Sequence, residues 1–295
     1  MKKRSKLADA APRFAMVLPA LFLYIVFVIY PLCGGVYYSM TDWDGIRNSM
    51  NFIWFDNYIT LFQDTSVITP LLNTIKYAAV TTILMNVLAL LFAIGLDHEF
   101  KTKNLLRACM FLPALLSPLV VGFIFSFIYS QPLADIGEQL GITVVANNLL
   151  GSTTWSLWAA TFAATWRMTG WYMVVYLAGL QAIPGDLYEA ADLDGVTPWK
   201  RFTQITFPLI APSFTINMVL AVERAFKEYD MVYSLTNGGP GNSSELLALT
   251  IYQESFTNYR VGYGSAIGVI LFLMIVAITL FQMIWLRKRE DNAAY

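Results

Sequence analysis

Three stretches of the chain hold residues able to do chemistry. In ATWRMTGWYM, Arg167 stands in the middle of an apolar run beside Thr165, Trp166, Thr169, Gly170 and Trp171. Hydroxyls, a guanidinium and flat rings together suit a sugar, whose hydroxyls need hydrogen-bond partners and whose C–H faces lie well on aromatic rings. An ionisable group inside a membrane run is costly, so Arg167 either faces a wet ligand path or is locked in a pair with a neighbouring helix. In AVERAFKEYDMVY, Glu223, Arg224, Lys227, Glu228 and Asp230 fall close together. Glu223 and Lys227, four apart, can also pair on a helix surface for about 0.2–0.5 kcal/mol. The third stretch, DLYEAADLDGVTPWKRFTQITFPLIAP, places Asp186, Glu189, Asp192 and Asp194 before Gly195, and then Lys200 and Arg201. No stretch assembles a catalytic or metal-binding set. His98, the single histidine, sits in DHEF without a ligand partner, and Cys33 and Cys109 read as two buried thiols with no disulfide or metal spacing.

The elements that must position these groups are membrane helices. The chain is 57% hydrophobic and 13% charged, against roughly 25% charged in soluble domains. Apolar runs of the roughly 20 residues needed to cross a bilayer occur at Phe14–Met40, Tyr77–Leu96, Ala108–Ser130, Ser156–Leu180, Ile205–Val222 and Tyr263–Leu286, which predicts six spans. The first run exceeds a signal-peptide core of roughly 7–15 residues and no A-x-A site follows, so it is expected to stay as a helix. Lys and Arg cluster at residues 2–13, at Lys101, Lys103 and Arg107, at Lys200 and Arg201, and at residues 287–289, while the alternate loops are poorer. Basic residues are retained on the cytoplasmic side. Both termini and the 186–204 hairpin are therefore predicted inside, with 41–70 and 236–259 outside.

The hairpin should be helix, glycine break, helix. Pro184 and Gly185 stop the preceding helix, Asp186 is placed to cap the next with Glu189 as the N3 partner of a capping box, and Gly195 suits the left-handed residue that ends it. Thr197 then caps a second helix that begins with Pro198. Tyr188, Ala191, Asp192 and Gly195 fall at helical spacing on one side, where the two alanines would let another surface approach closely. The segment from Thr236 to Ser244, TNGGPGNSS, is turn-rich. It is read either as a simple turn or as a surface that meets an extracytoplasmic protein. Trp43, Phe52, Trp54, Phe55 and Tyr58 fit an interfacial aromatic belt.

Glu189, Ala190, Ala191, Gly195, Ile205 and Pro208 resemble the EAA signature of bacterial ABC importer permeases, with Phe207 standing where that family usually has Leu. LPALFLYIVFVIYPLCGGVYYSMTDWDG, FDNYITLFQD, LLNTIKYAAV and SLTNGGPGNSSELLALTIYQESF extend the likeness over nearly the whole chain, to the sugar-importing permeases related to the larger maltose permease subunit. The resemblance implies an all-α integral membrane protein with the type I ABC importer permease fold, six transmembrane helices and both termini cytoplasmic. It implies cytoplasmic tails at 1–13 and 287–295, a first helix and outer loop at 14–70, and a permease core at 71–286 with a coupling helix at 186–195. In that helix Glu189, Ala190, Ala191, Asp192 and Gly195 would meet the ATPase. Ser117, Thr165, Trp166, Arg167, Thr169, Gly170, Lys227, Glu228 and Asp230 would line the sugar path. The implied partners are a second homologous permease, two copies of a cytoplasmic ATPase, an extracytoplasmic sugar-binding protein and membrane lipid, with no nucleic acid. No segment matches G-x-x-x-x-G-K-[ST]. The chain is therefore expected to bind no cofactor and to be no enzyme itself, ATP and Mg being used by the partner. An ion-coupled secondary sugar transporter, with Glu223, Glu228 or Asp230 carrying protons, is the alternative.

Overall fold

The computed structural model describes residues 16–293, with side-chain surroundings as far as Leu286. The basic clusters at 2–13 and the side chains of 287–289 lie outside the described residues. Among the described residues there are only helices and one isolated antiparallel bridge, Thr41 with Phe52. The chain divides into two compact units, one running to Leu61 and including Ile251–Ile270, the other formed by Phe62–Thr250 and the chain from Leu271 onward.

In the first unit, α1 (Met16–Tyr38) is a membrane-length helix with none of its most apolar window buried. A tight loop follows. Asp42 accepts the backbone amide of Asn51 at 2.6 Å and its side-chain amide at 2.9 Å, and Asn57 donates to the carbonyls of Ser39 and Thr41. The aromatic residues here stack partly on one another: Tyr38 on Trp43 at 4.4 Å, and Phe52 edge-on to Trp54 at 4.8 Å. A short helix, α2 (Asp56–Gln63), closes the loop.

The second unit is built around α3 (Thr65–Asp97), which starts on the Asp64 cap and contains Pro70. Two further pieces, α4 (Lys103–Phe111) and α5 (Pro118–Ser130), replace the single span predicted over Ala108–Ser130. Pro118 explains the break, because it pushes the preceding Ser117 out of the helical region, to ψ 137°; Leu116 is extended as well, at ψ 142°, while Pro113 sits in a tighter 3-10 turn at Leu112–Leu115. The membrane-length run is instead Pro118–Leu140, continued by α6 (Pro132–Leu140), where the sequence predicts an outer loop. Next come α7 (Ser156–Gln181), α8 (Gly185–Leu193), α9 (Pro198–Leu209), α10 (Ala211–Phe226) and α11 (Asp230–Leu235), while α12 (Leu247–Tyr252) and α13 (Val261–Ala293) are divided between the two units, at Thr250 and at Ile270.

α7 packs along α3 and also meets α10 and α4. Both helices bury small residues, Ala159, Ala160, Ala163 and Ala164 on α7 and Ala78, Ala89 and Ala93 on α3, and small residues let helix backbones approach closely where lipid gives no hydrophobic drive. Cross-helix hydrogen bonds fix the register: Tyr176 to Asn86 at 2.7 Å, Asn217 to the Tyr172 carbonyl at 3.0 Å, and Tyr129 to the Ala159 carbonyl at 3.1 Å.

Among the described residues four helices are long and apolar enough to cross a membrane, and a fifth if α9 and α10 count as one span bent by 68°. The sequence predicts six. α7 has the length, at 26 residues, but it is rich in buried Thr and carries Arg167, because protein rather than lipid surrounds it. The α9–α10 bend falls inside the run predicted as one helix. Pro212 cannot donate to the carbonyl of Pro208 four residues back and clashes with it, so the chain turns at Ile210. The two cysteines are exposed rather than buried.

Candidate functional site

Residues far apart in sequence line one cavity of about 440 Å³. α7 contributes Arg167 and Trp171, α10 contributes Leu220, Glu223 and Arg224, the turn into α11 adds Lys227, Glu228, Tyr229 and Asp230, and Pro118 borders it from α5. The Arg167 stretch and the Glu223–Asp230 stretch therefore do come together. Helix geometry does this locally: 167 and 171 share a face, as do 220, 223, 224 and 227.

Arg167 is 4% exposed and Glu228 8%. The Glu228 carboxylate accepts the Met231 backbone amide at 3.1 Å, which caps the start of α11 and holds the side chain at the cavity. Arg167 Nη1 reaches the Leu116 carbonyl at 3.5 Å, and its Nε has no hydrogen-bond partner among the described residues. That carbonyl is available because the helix is interrupted there. Arg224 Nη1 lies 2.9 Å from the Met168 sulfur, with the guanidinium 5.8 Å above the Trp171 ring. Lys227 pairs with Glu223 at 2.6 Å on the open rim. Neither Arg167 nor Arg224 makes a direct ion pair with a carboxylate among the described residues. The lining holds three cations (Arg167, Arg224, Lys227) and three anions (Glu223, Glu228, Asp230), for a formal charge of zero. Such a lining offers charged donors, charged acceptors and an indole face, which suits a ligand dense in hydroxyls.

The remaining sugar-site candidates lie elsewhere. Thr165, Trp166, Thr169 and Gly170 line a separate, largely apolar cleft of about 690 Å³, shared with Val80, Leu84 and Met110. The hydroxyls of Thr165 and Thr169 are spent on carbonyls one turn back in their own helix, at 2.7 and 2.6 Å. Gly170 is a close-packing position, since an added Cβ would stand 1.8 Å from the Met110 carbonyl oxygen. Ser117 is exposed at the start of α5 and is not part of the charged cavity. Trp171, Arg224 and Tyr229 line that cavity although the sequence-derived site omits them. The four-residue spacing from Arg167 to Trp171 and from Leu220 to Arg224 carries the signal for the first two.

The hairpin forms the second region. α8 starts earlier than predicted: Pro184 is its cap at ψ 132°, Asp186 is already inside the first turn, and no side-chain capping bond forms. The fixed φ of proline supplies the entry, and the Pro184 carbonyl accepts the Leu187 amide. Asp186 still complements the positive helix end. The exit is as read from sequence: Gly195 has φ +66°, and the amides of Gly195 and Val196 return to the carbonyls of Asp192 and Ala191, closing a Schellman motif. Pro198 opens α9 after Thr197, without a side-chain bond from the threonine. Of the face predicted to be open, Tyr188 and Ala191 pack on their own chain, while Asp192 stays exposed at its edge. Ala191 is 4% exposed, Asp192 accepts Arg201 at 2.8 Å, and the Tyr188 hydroxyl meets that of Thr206. The free face shows Asp186, Glu189, Ala190 and Leu193, the last 89% exposed. His98 ends α3 beside this hairpin and, with Asp97, borders a small cleft against Tyr188 and Arg201.

The glycine-rich segment after α11 is a pinned turn. Asn73 of α3 donates to the carbonyls of Asn242, Ser243 and Glu245, and Thr236 and Ser244 share a 2.7 Å bond across it. Gly241 and Asn242 remain exposed at its tip.

Residues 85–290 match the family described as binding-protein-dependent transport system inner membrane component. A probable starch degradation products transport system permease protein of Thermoanaerobacterium thermosulfurigenes is 35% identical, over 93% of both chains. A multiple sugar-binding transport system permease protein of Streptococcus mutans is 31% identical over 92% of this chain and 93% of its own. Among solved structures, a chain of the bacterial alginate ABC transporter in complex with alginate pentasaccharide-bound periplasmic protein superposes with a TM-score of 0.82 over 96% of both chains, at 20% identity.

Proposed function

We propose, from the premise that this chain belongs to the family of binding-protein-dependent transport system inner membrane components, that it is the membrane-spanning subunit of an ATP-driven importer that translocates a sugar. It is a multi-pass membrane protein. Relatives named for starch degradation products and for multiple sugars support the substrate class, and the observation that carries it here is the charged cavity at Arg167, Trp171, Arg224 and Glu228. A sugar crossing there exchanges water for guanidinium and carboxylate hydrogen bonds while one ring face lies on Trp171. In this reading the chain crosses the membrane six times, with α7 as the span lined by protein, both termini inside and the type I permease arrangement. A second permease completes the pathway. The ATPase, in two copies, uses ATP and Mg and docks on the free face of α8 through Glu189, Ala190 and the neighbouring Leu193. A sugar-loaded extracytoplasmic protein delivers to the outer face, where the exposed tip at Gly241 and Asn242 is one contact.

The test is uptake by vesicles holding the full transporter. Import should require ATP inside and the binding protein outside, and should persist when proton and sodium gradients are collapsed. Uptake that follows an ion gradient and ignores ATP would replace this reading with the ion-coupled one.

A further inference from the structure

The inner side of α8 is fastened by contacts that docking does not use. The Arg201 guanidinium donates to Asp192 at 2.8 Å and stands 5.7 Å above the Tyr188 ring, while the Tyr188 hydroxyl meets Thr206 at 3.1 Å. α8 is thus tied to α9 at points on both sides of the Gly195 turn. A second feature begins where this one ends. Trp199 packs on Phe202 at 6.0 Å, Phe202 on Phe207 at 5.9 Å, and Phe207 on Phe214 at 5.6 Å. The last contact spans the 68° bend between α9 and α10, and the last turn of α10 carries Glu223 and Arg224 on the cavity wall.

We infer that Arg201 is a positioning residue that locks α8 onto α9, and that the Phe202, Phe207 and Phe214 rings carry the displacement of this locked pair across the bend to the cavity. This rests on the reading of α8 as the ATPase-docking helix and deepens it. A push on the free face of α8 would otherwise be absorbed at Gly195, the left-handed residue of a tight turn. With Arg201 in place the two helices move as one body. At the bend Pro212 has no N–H to continue the helical ladder; Ile210 keeps backbone bonds to Thr206 and Phe214, and the ring contacts add a side-chain connection across it.

The experiment uses the whole reconstituted transporter and reads ATPase association, ATP turnover and sugar imported per ATP. Arg201→Ala should keep association and turnover and lower the sugar-to-ATP ratio by about tenfold, the combined scale of an exposed ion pair and a cation over a ring. Arg201→Lys should restore most of the ratio, because the ammonium keeps its charge near Asp192 and Tyr188. Phe207→Ala should give the same defect, and the double variant should be no worse than the more affected single one, as for links in series. The inference is overturned by an unchanged ratio in Arg201→Ala, by loss of ATPase association in that variant, by failure of Lys to restore coupling, or by additive single effects. Glu189→Lys separates the two levels: normal association and uptake there removes the docking reading itself. Lost association there beside a normal ratio in Arg201→Ala removes only the lock.

Discussion

The hairpin and the cavity use the same side chains in opposite ways. In the hairpin, Arg201 and Asp192 meet directly at 2.8 Å on a surface open to solvent, where an ion pair is worth about 0–1 kcal/mol. In the cavity, Arg167 and Glu228 are nearly enclosed, yet neither is closed into a pair with the other among the described residues. The hairpin charges are spent on each other, whereas Arg167 and Glu228 in the cavity keep bonding capacity in reserve. The backbones differ likewise: Gly195 needs freedom of φ, while Gly170 needs the absence of a side chain.

The contrast can be broken most forcefully at Gly170. Alanine there would drive its Cβ into the Met110 carbonyl, so overpacking should cost about 1–3 kcal/mol or more. Gly170→Ala should lower the unfolding temperature of the purified complex, and an unchanged value would show that α4 and α7 are not in tight contact. By comparison, Gly185→Ala meets nothing within 4 Å and should leave that temperature nearly unaltered. Next in size are the reserved charges. A hydrogen bond to a charged group is worth about 1.5–3 kcal/mol, so Arg167→Leu or Glu228→Gln should weaken sugar-dependent uptake by roughly 10- to 100-fold with assembly intact. Equal loss from Thr169→Val would move the sugar to the apolar cleft instead.

A smaller effect is expected at the hairpin exit, where Gly195→Ala places a side chain at φ +66° and should cost about 1 kcal/mol of local stability. Asn, which tolerates that region, should recover part of it. Protease sensitivity of the Gly195 loop in membranes measures both, and an Ala variant as resistant as the parent would deny the glycine its role. The smallest concerns Asp42, an exposed carboxylate of the loop after α1 that serves as a reference for the hairpin's own. The Asn51 backbone amide and then its side-chain amide hold Asp42 below the usual carboxylate range. With the folded value lowered, its contribution is fully present above the unfolded pKa of about 4 and is lost as pH falls through the folded one. Hydrogen-exchange protection at Asn51 should therefore be flat between roughly pH 5 and 8 and fall only below about 4. Loss of protection near pH 6 would contradict it.

Much of this was legible in the residues because the physics is local. The apolar runs of α1, α3 and α13, the left-handed Gly195 and the helix opening at Pro198 depend on neighbours a few positions away, and the structure has them. The breaks at Pro118 and Pro212 were equally local signals, but in a uniformly apolar run hydropathy outweighs them, so two bent segments read as straight spans. α7 shows the reverse, a helix whose polarity is tolerated because other helices surround it.

The sequence by itself determined the membrane class, the helix-turn-helix hairpin and the two stretches from which the cavity is drawn, since each follows from composition or from short-range backbone chemistry. The tertiary structure alone decided which face of α7 meets α10. It thereby placed Arg167 and Trp171 in the charged cavity and sent Thr165, Trp166, Thr169 and Gly170 to another cleft. It also packed the Tyr188 and Ala191 side of α8 against its own chain. A helix repeats its faces every 3.6 residues, and nothing in one helix states which face its neighbours will cover.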